Sequence, residues 1–333
     1  NAVSPPSTEF NFAQHLLDTN RSRGNKVALI DDAGQLTYGQ LADSVRRFAG
    51  GLKSLGLKRE ERVLLLMQDT TDWVVAFLGA LHAGIVPVAV NTLLTAEDYA
   101  YMLENSRAQA ALVSGTLVAN LQAAMGQSRH EVRSVIVSRP QSALGEGQID
   151  MAALIQSNAP DDAAPTWADE PAFWLYSSGS TGKPKGTVHS QGSLYWTAEL
   201  YGKGVLQLRE SDTVFSAAKL FFAYGLGNAM TFPLSVGATV VLMYKWDPGR
   251  ALELIEREKV TNFSGVPTMS REMLMHPDWA TRDTTSLQGM GGGGAALQPD
   301  LVQKIAGALK KKLGLDVVSE KDERRGRVYK IKD

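Results

Sequence analysis

From about residue 25 the chain repeats one pattern, a short run of β-branched and aliphatic residues followed by a longer stretch with apolar residues at helical spacing. KVALID, RVLLLM, PVAV, AALVS and SVIVS read as strands, and residues 38–55, 73–83, 95–106 and 115–127 read as helices between most of them. Thr95 with Asp98 three residues later has the form of a capping box that starts a helix. Parallel strands cannot be joined by tight turns, so strand and helix in alternation predict an α/β fold with doubly wound, parallel or mixed sheets. Residues 140–170, rich in Gly, Ala, Asp and Pro, read as a looser connection. The alternation then resumes, with FWLYSS, TVFSA, ATVVLM and TNFSG as strands and helices near 192–201, 224–236, 248–259 and 267–275. The tail departs from it. A basic helix near 299–313, then LDVVSE, a turn at KDERRG, and RVYKIKD outline a helix followed by a β-hairpin of winged-helix character.

Composition narrows what this pattern can serve. With 333 residues and 44% hydrophobic content the chain can bury a sizeable core and is not a disordered one. One uncharged stretch, WVVAFLGALHAGIVPVAV at residues 73–90, reaches the lower margin for crossing a bilayer. Gly84 and Pro87 break it, and His82 suits a buried helix followed by a buried strand better than a span. The first 20 residues lack a basic start followed by an apolar run, so no signal peptide is expected. There is no cysteine, which excludes disulfide scaffolds, thiolate metal sites and cysteine nucleophiles, and fits a cytoplasmic home. The net charge of −1 hides an uneven distribution, because residues 304–333 carry ten basic and five acidic side chains and the preceding chain is acidic. The tail's charge reads as a solvated helix, not a nucleic-acid reader, since no complete reading module accompanies it.

The segment that carries chemistry is YSSGSTGKPKG, residues 176–186, directly after the apolar run AFWL. Gly179, Gly182 and Gly186 allow close backbone approach to a polyphosphate, and exposed N–H groups in such a loop form an anion nest. Ser177, Ser178, Ser180 and Thr181 add hydroxyls, while Lys183 and Lys185 add cations, Lys185 being fixed between Pro184 and Gly186. The spacing differs from the GxxxxGK[ST] phosphate loop, and SGSTG lacks the first glycine of a nucleophile elbow.

These residues resemble the phosphate-binding signature of the adenylate-forming acyl-CoA synthetase superfamily. Over about residues 10–242, LTYGQLADSVRRFAGGL, AFLGALHAGIVPVAVNTLLTAEDYAYML, TAELYG and FSAAKLFFAYGLGNAMTFPLSVGATVVLM look similar to benzoate–CoA ligases. The resemblance implies an acid–thiol ligase of aromatic acid degradation that uses ATP, magnesium and coenzyme A and forms a homodimer. Residues Thr181 and Lys185, with Ser177, Ser178, Gly179, Ser180, Gly182, Lys183 and Gly186, would hold phosphates and serve the adenylation step. Phe222, Ala223, Tyr224 and Gly225 would wall a pocket for a flat aromatic carboxylate. On residue type alone Phe221, Phe222 and Tyr224 equally fit ordinary core aromatics, and Lys219 is lone and shapes the loop. In GMGGGGAALQP, Gly292, Gly293, Gly294 and Ala295 would form the adenine-side turn, although a flexible linker would look alike.

His15, His82, His130, His189 and His276 lack metal-ligand spacing and read as structural or solvated, with a supporting role open for His189 beside the loop. The expected domain order is a first α/β subdomain at 1–170, a second with the phosphate loop and acid pocket at 171–303, and a basic tail at 304–333. The family's magnesium-serving glutamate segment and small C-terminal ligase domain are not found in the sequence. A second hypothesis therefore stands beside the ligase: an incomplete ATP-binding fragment or fusion acting as a binding protein through its basic tail.

Overall fold

The protein is described from a computed structural model covering residues 3–177 and 182–293, then 301, 303–305, 307, 317–322 and 326–331. It begins with α1 (Phe12–Thr19), β1 (Val27–Asp31), β2 (Gly34–Thr37) and α2 (Tyr38–Ser54). Strand and helix then alternate through β3 (Arg62–Leu66), α3 (Thr71–His82), β4 (Val86–Ala89), α4 (Ala96–Ser106), β5 (Ala110–Ser114), α5 (Val118–Gly126) and β6 (Ser134–Ser138). Next come β7 (Gln148–Asp150), α6 (Met151–Ser157), β8 (Pro171–Ser177), β9 (Lys185–Ser190) and α7 (Gln191–Thr197).

Strands β3 to β9 form one sheet in the order β7-β6-β5-β3-β4-β8-β9. Every neighbouring pair in it is parallel except β8 with β9. The chain places β4 on one side of β3 and then crosses to place β5 on the other, so the topological switch lies at β3. Both faces are covered at the centre, which is why β3, β4 and β5 are almost wholly apolar and do not alternate. Along β3, Val63 and Leu65 join a core with Phe48 of α2 and Trp73 and Phe77 of α3, while Leu64 and Leu66 face Tyr99 and Leu103 of α4 and Leu121 of α5. The rings of Trp73 and Phe77 stack with centroids 5.1 Å apart. Gly79 lets α2 and α3 approach closely, since a Cβ there would stand 2.7 Å from Phe48 Cδ1.

The uncharged stretch at 73–90 is a helix and a strand, as its breakers predict. Gly84 turns between them in the left-handed region, with φ +70°. No helix among the described residues is long and apolar enough to cross a membrane. Thr95 and Asp98 do form the reciprocal capping box at the start of α4.

Three features differ from the expectations. Residues 140–170 are not merely a connection, because β7 adds in parallel to β6 and α6 follows, its first turn capped by Asp150 accepting the Ala152 N–H. Both elements are too short for periodicity to reveal. Strand β9, absent from the sequence reading, pairs antiparallel with β8 immediately after the glycine-rich loop. The helix expected at 224–236 is present but carries a π-helical turn inside it: α8 (Ala223–Leu226), Gly227–Thr231 and α9 (Phe232–Val236) follow one another with right-handed helical backbone at both junctions. Phe232 packs closely against two glycines there, since a Cβ on Gly227 would stand 2.5 Å from its ring and one on Gly202 would stand 2.9 Å from its Cβ. Gly202 belongs to a second π-helical turn, Ala198–Lys203, that continues α7.

The chain divides into two compact units, residues 1–211 with 219–245, and residues 212–218 with 246–333. Strand β10 (Thr213–Ser216) belongs to the second unit, whereas β11 (Thr239–Val241) closes the first by pairing in parallel with β1, Leu29 opposite Val240. In the second unit α10 (Pro248–Glu258), β12 (Asn262–Gly265), α11 (Pro267–Met275) and β13 (Gly289–Gly292) follow β10, and β10, β12 and β13 pair in parallel. Pro248 opens α10 at a position where its missing N–H costs nothing, and Asp247 accepts the Arg250 N–H. The hairpin expected in the tail is present as β14 (Val317–Asp322) and β15 (Gly326–Ile331). Most of the helix expected at 299–313 lies outside the described residues.

Candidate functional site

Within the first unit, a cavity of about 530 Å³ opens where β4 and β8 end and β9 begins. Ser177 and Pro184 stand at one side, Phe221, Phe222 and Ala223 at another, and Asn91, Leu94, Met102, Leu175, Tyr176, Thr187 and His189 complete the lining. The phosphate-loop side is set by the β8–β9 hairpin. Its register runs from Phe173 opposite His189 to Ser177 opposite Lys185, so both ends of the loop are fixed by backbone pairing. Gly186 sits opposite Tyr176, and a Cβ there would meet Trp174 Cε3 at 2.8 Å. The Trp174 ring in turn carries the Arg62 guanidinium 5.7 Å from its centroid.

Gly182 adopts φ +91°, a conformation that favours glycine. The Lys183 ammonium lies 5.0 Å from the centre of the Tyr101 ring, and the Tyr101 hydroxyl donates to the Pro184 carbonyl at 3.1 Å. Lys185 is exposed at the start of β9. Ser178, Gly179, Ser180 and Thr181 lie outside the described residues, as do Gly294 and Ala295. Gly292 and Gly293 are described in the second unit, where β13 ends and the Gly293 N–H donates to the Gly265 carbonyl at 3.3 Å.

The aromatic side is half open. Phe221 is buried, whereas the Phe222 ring is 49% exposed and tilts against it at 4.6 Å. Tyr224 and Gly225 belong to α8 and do not contribute to the lining. His189 stacks face to face on Phe173, with centroids 4.6 Å apart and planes 7° apart, and burial lowers its pKa from the ordinary histidine value. A neutral imidazole therefore faces the cavity at pH 7. Tyr176 donates to Asn105 Oδ1 at 2.7 Å, and burial raises its pKa far above the phenolic range, so it is a fixed donor.

Sequence reasoning missed the α4 side of this cavity. The Tyr99 hydroxyl donates to the Asn91 carbonyl at 2.7 Å and accepts the Leu94 N–H at 3.1 Å, which holds the 91–94 loop over the opening. A signal was present, because that loop leads directly into the Thr95 capping box. Lys219 is not lone. It donates to the Met243 and Tyr244 carbonyls at 2.8 and 2.9 Å and pairs with buried Asp69. A separate crevice of about 340 Å³ contains Asp31 and Arg139, paired at 2.6 Å. Among the described residues no group of three or more His, Asp or Glu is placed to hold a metal ion.

The glycine-rich segment between β8 and β9 and the cavity beside it lie within residues that match a known family. The AMP-binding enzyme family matches residues 16–315, and the chain belongs to that family. It is 43% identical over 307 residues to a benzoate–CoA ligase of Thauera aromatica, covering 90% of this chain and 57% of that protein. It is 40% identical over 280 residues to a 4-hydroxybenzoate–CoA/benzoate–CoA ligase of Rhodopseudomonas palustris, covering 82% and 50%. Among solved structures, a benzoate CoA ligase from Burkholderia xenovorans superposes with a TM-score of 0.82 at 45% identity, over 92% of this chain and 59% of that one. An anthranilate CoA ligase in complex with anthranoyl-AMP gives 0.87 at 31% identity, over 93% and 59%. The chain thus spans about half the length of the curated relatives it matches.

Proposed function

We propose that this protein belongs to an ATP-dependent acid–CoA ligase of the benzoate type. In the first step a carboxylate oxygen of an aromatic acid attacks the α-phosphorus of ATP, the bond to the leaving pyrophosphate breaks, and an acyl-adenylate forms. In the second, the coenzyme A thiol attacks the acyl carbon and AMP departs. The observation that carries this reading is the single cavity that joins the ends of the phosphate loop to the wall of Phe221, Phe222 and Ala223.

Two anions must meet in the first step, so the protein's task is to neutralise phosphate charge as it develops. Lys185, Lys183, Thr181 and the hydroxyls of Ser177, Ser178 and Ser180 are assigned to the phosphates. Gly292, Gly293, Gly294 and Ala295 are assigned to the adenine side. Phe222 and Ala223 offer an apolar surface for an aromatic ring, and Tyr224 and Gly225 follow them in the chain. Neutral His189 adds no charge that would compete for the carboxylate.

Benzoate-dependent exchange of pyrophosphate into ATP tests the first step. We expect exchange in the protein and a fall of about 10²- to 10³-fold in Lys185→Ala, the range for removing one preorganised donor to developing charge. Absence of exchange together with calorimetric ATP binding would leave a nucleotide-binding protein in place of a ligase.

A further inference from the structure

Asp69 follows the carboxyl end of β3 at the switch point and has a side chain only 2% exposed. It does not line the cavity, yet its two carboxylate oxygens accept the Leu220 N–H at 3.4 and 3.3 Å, and one lies 3.9 Å from Lys219 Nζ. Lys219 reaches on to the two carbonyls that follow β11. Between Lys219 and Ala223 the backbone joins no strand. Its bonds are local, Phe222 N–H to the Lys219 carbonyl and Leu226 N–H to the Phe222 carbonyl. Where this turn stands relative to the sheet therefore depends on the packing of Phe221 and on the polar link through Asp69.

Burial pushes the Asp69 carboxyl up to about 6, and Lys219 and the Leu220 N–H oppose that rise. Burial likewise lowers the pKa of Lys219, against the pull of Asp69. Each group supports the charged form of the other at neutral pH. A charged pair held this far inside is a costly way merely to fill space, because an apolar pair of the same volume would pack without desolvation.

We propose that Asp69 is a positioning residue for the aromatic wall, acting through Lys219 and the Leu220 N–H to set where Phe222 and Ala223 stand in the cavity. This rests on the reading of that cavity as the acid site, so the test needs one measurement independent of any substrate. That measurement is amide hydrogen exchange across residues 220–226, compared with β3 and β8, in Asp69→Ala, Asp69→Asn and Lys219→Met. The second is the acid KM against the ATP KM in the same variants.

The expected result is exchange in 220–226 rising about tenfold in Asp69→Ala with β3 and β8 unchanged, and a KM for benzoate rising about tenfold with that for ATP within about twofold. Asp69→Asn retains an acceptor for the Leu220 N–H and should restore part of both. Exchange unchanged in 220–226, or raised uniformly along the chain, overturns the proposal, as does a parallel rise of both KM values. If Asp69→Ala does not fold, Asp69→Asn and Lys219→Met decide by the same criteria. If the unaltered protein binds no aromatic acid, the functional reading fails while the exchange data still decide the positioning role.

Discussion

On one side of the cavity, β8 and β9 pair residue by residue, so the two ends of the phosphate loop are held by main-chain bonds. On the other side, residues 219–226 have no strand partner and are tied to the sheet through Asp69 and Lys219. The first arrangement is insensitive to most side-chain changes and intolerant of any that alter backbone approach. The second can be moved by a single functional group. Under the proposed function that division would suit a scaffold with one constant nucleotide and a variable acid, because rigidity belongs where the ligand is constant.

The contrast can be broken most directly at Gly186. Gly186→Val places a branched side chain where a lone Cβ would already stand 2.8 Å from the Trp174 ring. It should cost about 1–3 kcal/mol of unfolding free energy by denaturant titration, with both the loop and the exchange reaction impaired. A near-neutral result would mean that the hairpin can shift, and the two sides would no longer differ. Tyr99→Phe removes the hydroxyl that holds the 91–94 loop at Asn91 and Leu94. The expected loss is about 1–2 kcal/mol together with weaker acid binding, measured by denaturation and calorimetry. Thr95→Ala, which opens the adjoining capping box, should cost about 1 kcal/mol and leave ATP binding unchanged.

Phe222→Ala should change stability least, by less than about 0.5 kcal/mol, since its ring is 49% exposed, while the acid affinity falls. A drop in stability without a drop in affinity would reassign Phe222 to the core. The pH dependence sharpens the same comparison. The folded state holds the Asp69 proton up to about 6, and the unfolded chain releases it near the ordinary aspartate value of 3.8, so more protons are bound in the folded state between these values. Stability contributed at Asp69 therefore falls as pH rises from about 4 to about 6 and is flat above that window. The slope should vanish in Asp69→Asn. At Asp31 the sign is opposite, because Arg139 and the Thr71 and Ala33 N–H groups outweigh burial and lower its pKa. That contribution is present above 3.8 and is lost as pH falls below it, so Arg139→Met should flatten the acid limb of the stability curve.

The elements legible in the sequence were those long enough to show a period and buried on both faces, such as β3, α3 and α4. Strand β9 was hidden because none of its residues is buried, so it shows no apolar run, and it follows directly on the glycine-rich loop. The glycine-rich segment 176–186 stood out as eleven contiguous residues with an unusual glycine and lysine pattern. The link from Asp69 to Lys219 did not, since two single residues about 150 positions apart carry no period and no motif. Phe222 and Ala223 were found through resemblance alone, and their neighbours Asn91, Leu94 and Met102 were missed because they reach the cavity from the loop after β4 and from α4.

Leu29 of β1 meets Val240 of β11 across 211 residues of chain, and the Leu242 N–H then donates to Ile30 at 2.8 Å. During synthesis at about 5–20 residues per second, the apolar β1 segment therefore waits roughly 10–40 seconds for the partner that closes its parallel edge. Nascent chains stalled before Val240 should leave that segment open to protease, and chains that have exposed β11 should protect it. Until then β1 is held only by its antiparallel neighbour β2, so the earliest strand of the first unit keeps one edge unpaired for most of the time its unit is being made.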